Sequence, residues 1–211
     1  MSDTTACQKR HSVPTRGLGL ACAASGVIGT ALALLMGVHV GDVPETQWSY
    51  PHTRGVFVVE AVLLALMHLM QGAGFVGALR LGAPGNSRPG RVGLWVALLG
   101  LVGLAVAEVW SGLIADEADD SSVAATVSGL FGISSIVFAL GAIVGGVAVL
   151  RAGVWQGPWR WVVFATGLVI VALVTPANIS GDPGLRQVAL LIWSVLFIPL
   201  GLDVAKGLHR R

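Results

Sequence analysis

Six long apolar stretches, separated by short polar connectors, dominate the pattern along this chain. They cover residues 17–40, 56–79, 92–115, 123–150, 161–177 and 188–205. A helix needs about 20 apolar residues to cross the hydrocarbon core of a bilayer, and each stretch approaches or exceeds that length. A strand exposed to lipid would leave backbone polar groups unpaired, so the stretches must be helices. The sequence therefore predicts an all-α membrane bundle of six transmembrane helices.

Local signals refine this prediction at several spans. Pro176 is expected to end the fifth span, which is the shortest, and Pro199 is expected to kink the sixth. The first span is too long for the apolar core of a cleaved signal peptide. Small residues at a spacing of four favour close helix packing. They are Ala21, Ser25 and Gly29 in the first span and Gly141 and Gly145 in the fourth.

The charged residues of the connectors alternate in sign from one side of the bundle to the other. One side carries all but two of the 13 basic residues. The other side carries Arg54 and Arg186 together with the acidic residues Asp42, Glu45, Asp116, Glu117, Asp119, Asp120 and Asp182. Because positive charge marks the cytoplasmic side, both termini are predicted to lie in the cytoplasm, with tails at 1–16 and 206–211 around the membrane domain 17–205. A multi-pass protein of the bacterial inner membrane is expected.

Composition excludes several other classes of protein. Only 11% of the residues are charged, against about 25% in a soluble domain, so lipid must be the main solvent. The net charge of +2 is spread over the connectors and does not form a nucleic-acid patch. Two cysteines provide no disulfide framework.

Two acids lie inside the apolar stretches, and they are the first candidates for chemistry. Counted from the outer ends of their helices, Glu60 lies roughly 6 Å deep and Glu108 roughly 10 Å deep. An acid in hydrocarbon is costly, so its presence suggests a function, and a protonated acid there can donate or carry a proton. The alternative is that each acid bonds a neighbouring helix or reaches outward to water.

The second span carries further polar residues near Glu60. Gln71 shares a helical stripe with Glu60, and His68 lies roughly 80° around the helix. These three residues are predicted to line an internal cavity, in which His68 either relays protons or bonds a neighbouring helix. A bis-histidine haem would need a second histidine at this depth, and the sequence has none. No haem or other cofactor is therefore predicted.

The first outer loop, with two prolines and several rings, is predicted to form an ordered lid. Trp48 in this loop, Trp110 in the third span and Gln71 are candidates for binding a substrate. The two tryptophan rings would also stabilise cations through their faces. His39, Asp42, Glu45 and His52 match no recognised ligand spacing, so no metal is predicted. The acidic loop 116–120 is expected to be solvated, because it lacks the glycine and distal glutamate of a calcium loop.

Asp203, near the inner end of the sixth span, is a different kind of acid. Lys206 and Arg210 follow it at helical spacing, so a solvated ion pair is expected. Its predicted depth places it at the opposite membrane face from Glu60.

Two resemblances accompany these features. The stretch Val43-Pro-Glu-Thr-Gln-Trp-Ser-Tyr-Pro, followed by Glu60 and His68, resembles a group of actinobacterial six-span integral membrane proteins whose activity is not established. More weakly, the chain resembles small membrane-bound terpene cyclases, in which buried acids protonate an alkene or epoxide. That resemblance implies a role for Glu60 as the early acid and, by order alone, for Asp203 as the late acid; depth makes Glu108 the better partner for Glu60.

Three functions remain open at this point. The first is an enzyme acting on a lipophilic substrate, with Glu60 and Glu108 as acid and modulator. The second is a proton-coupled carrier with Glu60, His68 and Glu108 as the proton route, for which six spans imply a homodimer. The third is an accessory membrane protein in which the acids only join helices.

Overall fold

The computed structural model describes residues 12–35 and 42–207, and helices make up most of this part of the chain. Four long helices come first: α1 (Ser12–Leu35), α2 (Arg54–Arg80), α3 (Arg88–Leu113) and α4 (Ser122–Ala152). The fifth span, Pro158–Ser180, comprises a 3₁₀ turn (Pro158–Trp161), α5 (Val162–Val169), a π-helical turn (Ile170–Val174) and α6 (Thr175–Ser180). The sixth span, Pro183–Lys206, comprises α7 (Pro183–Val195) and α8 (Phe197–Lys206).

All six of these segments are long and apolar enough to cross a membrane, which confirms the predicted all-α, multi-pass architecture. The second to sixth spans extend a few residues beyond their predicted limits at one or both ends. Helix α1 already begins at Ser12, and residues 36–40 of the predicted first span lie outside the described residues. No β-strand is found in the described residues.

The prediction that Pro176 ends the fifth span is wrong. The helix continues through this residue to Ser180, and a π-helical turn lies immediately before it. Proline has no N–H to donate and its ring crowds the carbonyl four residues earlier. The wider π turn accommodates both problems without ending the helix.

The sixth span is interrupted at Leu196, between α7 and α8. Pro199 lies just beyond this point in the first turn of α8, so the interruption agrees with the irregularity predicted from this proline. The break divides the span into a half that packs near the loops and a half that reaches the other end of the bundle.

Glycines allow the helices to approach one another closely. A Cβ atom added to Gly93, Gly141 or Gly145 would overlap atoms of the facing helix in the α3–α4 pair. Gly19 of α1 and Gly201 of α8 contact each other's helix backbone in the same way. The packing role predicted for Gly141 and Gly145 is confirmed, and Gly29 of α1 meets Met67 and Ser194.

The two ends of the bundle differ in charge, and we name them accordingly. The acidic end contains the loops 42–53 and 114–121 and the turn at Asp182, while the basic end contains Arg80, Arg88, Arg91, Arg151, Arg160 and Lys206. The candidate site lies between α2 and α3, beneath the loops of the acidic end.

Candidate functional site

The acid nearest the acidic end is paired with a histidine from the loop that precedes its helix. Nδ1 of His52 lies 2.7 Å from Oε2 of Glu60, and the two side chains are 5% and 19% exposed. This separation is typical of a charge-assisted hydrogen bond, in which one proton lies between nitrogen and oxygen. Glu60 is therefore held by a partner that the sequence analysis did not connect with it.

The second acid also faces a histidine, deeper in the bundle. Nε2 of His68 in α2 lies 3.6 Å from Oε1 of Glu108 in α3, and both side chains are largely buried. The structure thus joins two residues that the sequence predicted as parts of one site. Each glutamate has its own histidine, so neither is an isolated charge in the membrane.

Gln71 orients His68. Its Oε1 lies 3.1 Å from Nδ1 of His68, and an amide oxygen accepts a hydrogen bond from the tautomer of the ring that carries a proton on Nδ1. Nε2 then faces Oε1 of Glu108 at 3.6 Å, which is within the range of an ion pair and beyond the length of a direct hydrogen bond. The imidazole gives the carboxyl group a polar partner, which reduces the cost of burying it.

Two buried hydrogen-bond donors beside His68 have no acceptor in the described structure. They are Nε2 of Gln71 and Nε1 of Trp193, whose residues are 0% and 3% exposed. The Trp193 ring centroid lies 5.7 Å from that of His68. An unsatisfied buried donor costs about 1–3 kcal/mol, and such atoms in native proteins commonly have a functional explanation. Each of these two N–H groups is available to an acceptor atom of a bound molecule or water.

A cluster of aromatic rings closes the bundle on the basic side of these donors. Trp193 packs edge-to-face against Phe138 at 5.7 Å and Phe197 at 5.0 Å, and Phe138 packs against Phe75 at 5.7 Å. The three phenylalanines are completely buried. The polar side chains therefore end at a dry core, which separates them from the basic end.

The two tryptophans predicted to bind substrate, Trp48 and Trp110, are not members of the two His–Glu pairs. Nε1 of Trp48 donates to Oγ of Ser111 at 2.8 Å, so this ring fastens the first loop to α3. Trp110 follows Glu108 by two residues and projects roughly 200° around the helix. It lines an apolar groove of about 530 Å³ between α2 and α3, which does not include Glu108.

The loops of the acidic end are fastened to each other, as expected for an ordered lid. Backbone bonds join Trp48 to Glu117 at 2.9 Å and Asp119 to Thr46 at 2.9 Å. An exposed ion pair joins Arg54 to Asp116 at 2.6 Å. The acidic loop 116–120 is exposed, as predicted. Within the described residues, no three His, Cys, Asp or Glu side chains are grouped to hold a metal; His39 lies outside that part.

The prediction of a solvated Asp203 is wrong. The residue is 1% exposed, and its Oδ2 accepts a hydrogen bond of 3.1 Å from Nε1 of Trp155. Trp155 is itself completely buried, unlike its neighbours Trp159 and Trp161, which lie exposed. The connector between α4 and the fifth span folds inward and shields the carboxylate, which spacing along α8 alone did not indicate.

Sequence reasoning thus identified Glu60, Glu108, His68 and Gln71 but missed His52 and Trp193 as their neighbours. The position of His52 directly before α2 was the available signal for its contact with Glu60. Trp193 gave no signal beyond its place in a span. Comparisons of the chain with protein-family models, curated proteins and solved structures find no match. The chemistry of this site is therefore argued from its geometry.

Proposed function

We propose that this integral membrane protein moves protons through the α2–α3 interface and couples their movement to a small molecule. The observation that carries the proposal is the pairing of each intramembrane glutamate with a histidine. Histidine and glutamate side chains can both accept and give up a proton, so each pair is a place at which a moving proton can be held. Glutamates and histidines in membrane spans are typical of proton relays.

The order of the groups along α2 supports a route that starts at the acidic end. His52 and Glu60 lie beneath the loops, and His68 follows Glu60 by eight residues, or about 12 Å along the helix. That separation is too long for a direct hydrogen bond, so transfer between the pairs needs water or a movement of the lid. Beyond His68 the buried rings of Phe75, Phe138 and Phe197 must also move apart for a proton to reach the basic end. Since basic connectors favour the cytoplasm, the acidic end faces outward in this proposal.

The unsatisfied donors of Gln71 and Trp193 support a small molecule as the coupled partner. An acceptor atom that binds the N–H group of Gln71 would lie beside His68, because Oε1 of the same amide is 3.1 Å from Nδ1 of that ring. A charged or polar molecule there would alter proton binding at His68 through its electric field. As a six-span carrier, the protein would work as a homodimer.

A flux assay tests the proton route. The purified protein is reconstituted in liposomes that contain the dye pyranine, with valinomycin and potassium to clamp the membrane potential, and a pH step is applied. We expect wild-type protein to equilibrate the interior faster than protein-free liposomes. Glu108→Gln should abolish this difference, because glutamine cannot take up the proton. Asp116, an exposed acid at the acidic end, supplies the control, and the flux of Asp116→Asn should equal that of wild type.

Infrared difference spectra provide a second readout that does not depend on transport. Across the same pH step as in the flux assay, the wild-type protein should show a change in a carboxylic-acid C=O band that Glu60→Gln or Glu108→Gln removes in part and Asp116→Asn leaves in place. Wild-type flux and wild-type spectra in both glutamine variants would refute the proposal and favour an accessory role, in which the acids only join helices.

A membrane-bound enzyme is the second candidate, and the apolar groove beside Trp110 favours it. The groove could hold a prenyl chain next to α3. However, neither Glu60 nor Glu108 lines this groove, so a chain bound there does not contact either acid, which is why we place this candidate second. Conversion of a prenylated substrate by wild-type membranes but not by Glu60→Gln membranes, with no proton flux in liposomes, would reverse this order.

A further inference from the structure

A cavity of about 790 Å³ lies at the basic end, between the α2–α3 connector and the last turns of α4. It is unrelated to the His–Glu pairs, which lie toward the other end of α2 and α3. The polarity of its lining residues differs between the mouth and the wall. The mouth is polar and contains Asn86, Ser87 and Arg151, while the wall along α4 is apolar and contains Ile143, Val144 and Val147.

The apolar wall lies at the depth of a lipid's acyl chain, and the polar mouth lies at the depth of its headgroup. Ile143, Val144 and Val147 lie on one face of α4, since residues three and four apart are neighbours on a helix. Val144 is 47% exposed and lies about 10 Å deeper along α4 than Arg151. An acyl chain can therefore contact the wall while a headgroup reaches Arg151.

The charge around the mouth favours an anionic headgroup. Arg151 is exposed, and among the described residues no carboxylate lies within ion-pair distance of it. The only acid near this end in the described part of the chain is Asp203, which is buried against Trp155. A positive surface without compensating acids attracts phosphate groups.

We propose that this cavity binds an anionic phospholipid, with its phosphate on Arg151 and one acyl chain along Ile143, Val144 and Val147. Bound lipid would connect the α2–α3 connector to α4 and stabilise the bundle by mass action. The proposal does not depend on proton movement, so the two proposals can fail separately.

Thermal unfolding and native mass spectrometry of the full chain in a mild detergent test this site. We expect phosphatidylglycerol to raise the unfolding midpoint and to persist as a mass adduct, while phosphatidylcholine of the same acyl chains and inorganic phosphate do neither. Arg151→Gln should weaken phosphatidylglycerol binding about tenfold, the effect of losing one charge-assisted contact. Asn86→Asp, which adds a negative charge at the mouth, should weaken it as well.

Arg160→Gln is the matched control, because Arg160 is an exposed arginine of the same end whose guanidinium lies 5.9 Å from the ring centroid of Trp161. Its phosphatidylglycerol binding should equal that of wild type. Equal losses in Arg151→Gln and Arg160→Gln would overturn the proposal, because they would indicate a general charge effect. Equal stabilisation by phosphatidylcholine or by inorganic phosphate would also overturn it, because the site would then recognise no anionic lipid.

Discussion

Burial, more than distance, should set the strength of ion pairs in this protein, and two pairs at the acidic end permit a direct comparison. His52 and Glu60 are 2.7 Å apart, with side chains 5% and 19% exposed. Arg54 and Asp116 are 2.6 Å apart, but their side chains are 64% and 56% exposed. Because the distances are nearly equal, a difference in coupling energy must come mainly from the surroundings.

The expected magnitudes follow from that difference in exposure. A hydrogen bond to a charged group contributes about 1.5–3 kcal/mol, and His52–Glu60 should lie in this range at about 2 kcal/mol. Exposed pairs contribute about 0–1 kcal/mol because water and salt screen them, so Arg54–Asp116 should give about 0.5 kcal/mol. The predicted difference of about 1.5 kcal/mol corresponds to roughly a tenfold change in the folding equilibrium constant.

Two double-mutant cycles measure these coupling energies. For each pair, the free energy of unfolding is measured for wild type, both single alanine variants and the double variant in mixed micelles of dodecyl maltoside and sodium dodecyl sulfate. The cycle cancels the other contacts of each residue, which a single variant does not. Coupling energies that agree within about 0.5 kcal/mol, the usual error of additivity, would refute the argument from burial.

Three further predictions concern packing, capping and the buried acid. Gly141→Ala should destabilise the protein by about 1–3 kcal/mol, because the added Cβ would overlap the α3 backbone. The control Gly129→Ala should stabilise it by up to about 1 kcal/mol, because a Cβ there meets nothing within 4 Å. Chemical unfolding that gives the same sign for both variants would contradict this. Asp182→Ala should lower the free energy of unfolding by about 1 kcal/mol, because the Asp182 carboxylate accepts hydrogen bonds from two N–H groups at the start of α7. In thermal unfolding, Asp182→Ser should recover the lost stability, because serine also caps helices. Trp155→Phe should cost about 1–3 kcal/mol, since it removes one hydrogen-bond donor to a buried carboxylate. An equal loss in the exposed-ring control Trp159→Phe would argue against this cause.

Hydropathy and charge alone predict the limits of the transmembrane helices closely. The limits of α2 and α4 agree with the predicted stretches to within two residues at each end, because the bilayer sets a minimum apolar length and charged residues mark where each helix leaves it. Pro176 marks where this reasoning fails. A proline that would end a helix in water is tolerated here, because in lipid the chain has no alternative to remaining helical.

The depths of Glu60, His68 and Gln71 were likewise readable from the sequence, since position along a helix fixes depth. The residues that these side chains contact could not be read from the sequence. In α3 and α4 apolar residues occupy every face, so periodicity does not reveal which side of each helix faces its neighbour. Glycines such as Gly93 and Gly141 fix that rotation through close backbone contact, and the rotation decides that His68 faces Glu108.

The sequence by itself determined a six-span membrane protein with two intramembrane acids beneath one end, because the solvent imposes these features residue by residue. Only the tertiary structure decided that Glu60 is held by His52 and that Asp203 is enclosed by Trp155. Each of these contacts joins a loop to a helix, and the folding of a loop over a bundle depends on packing that hydropathy does not encode. The intramembrane acids are therefore members of His–Glu pairs, and these pairs are the basis for proposing proton transfer.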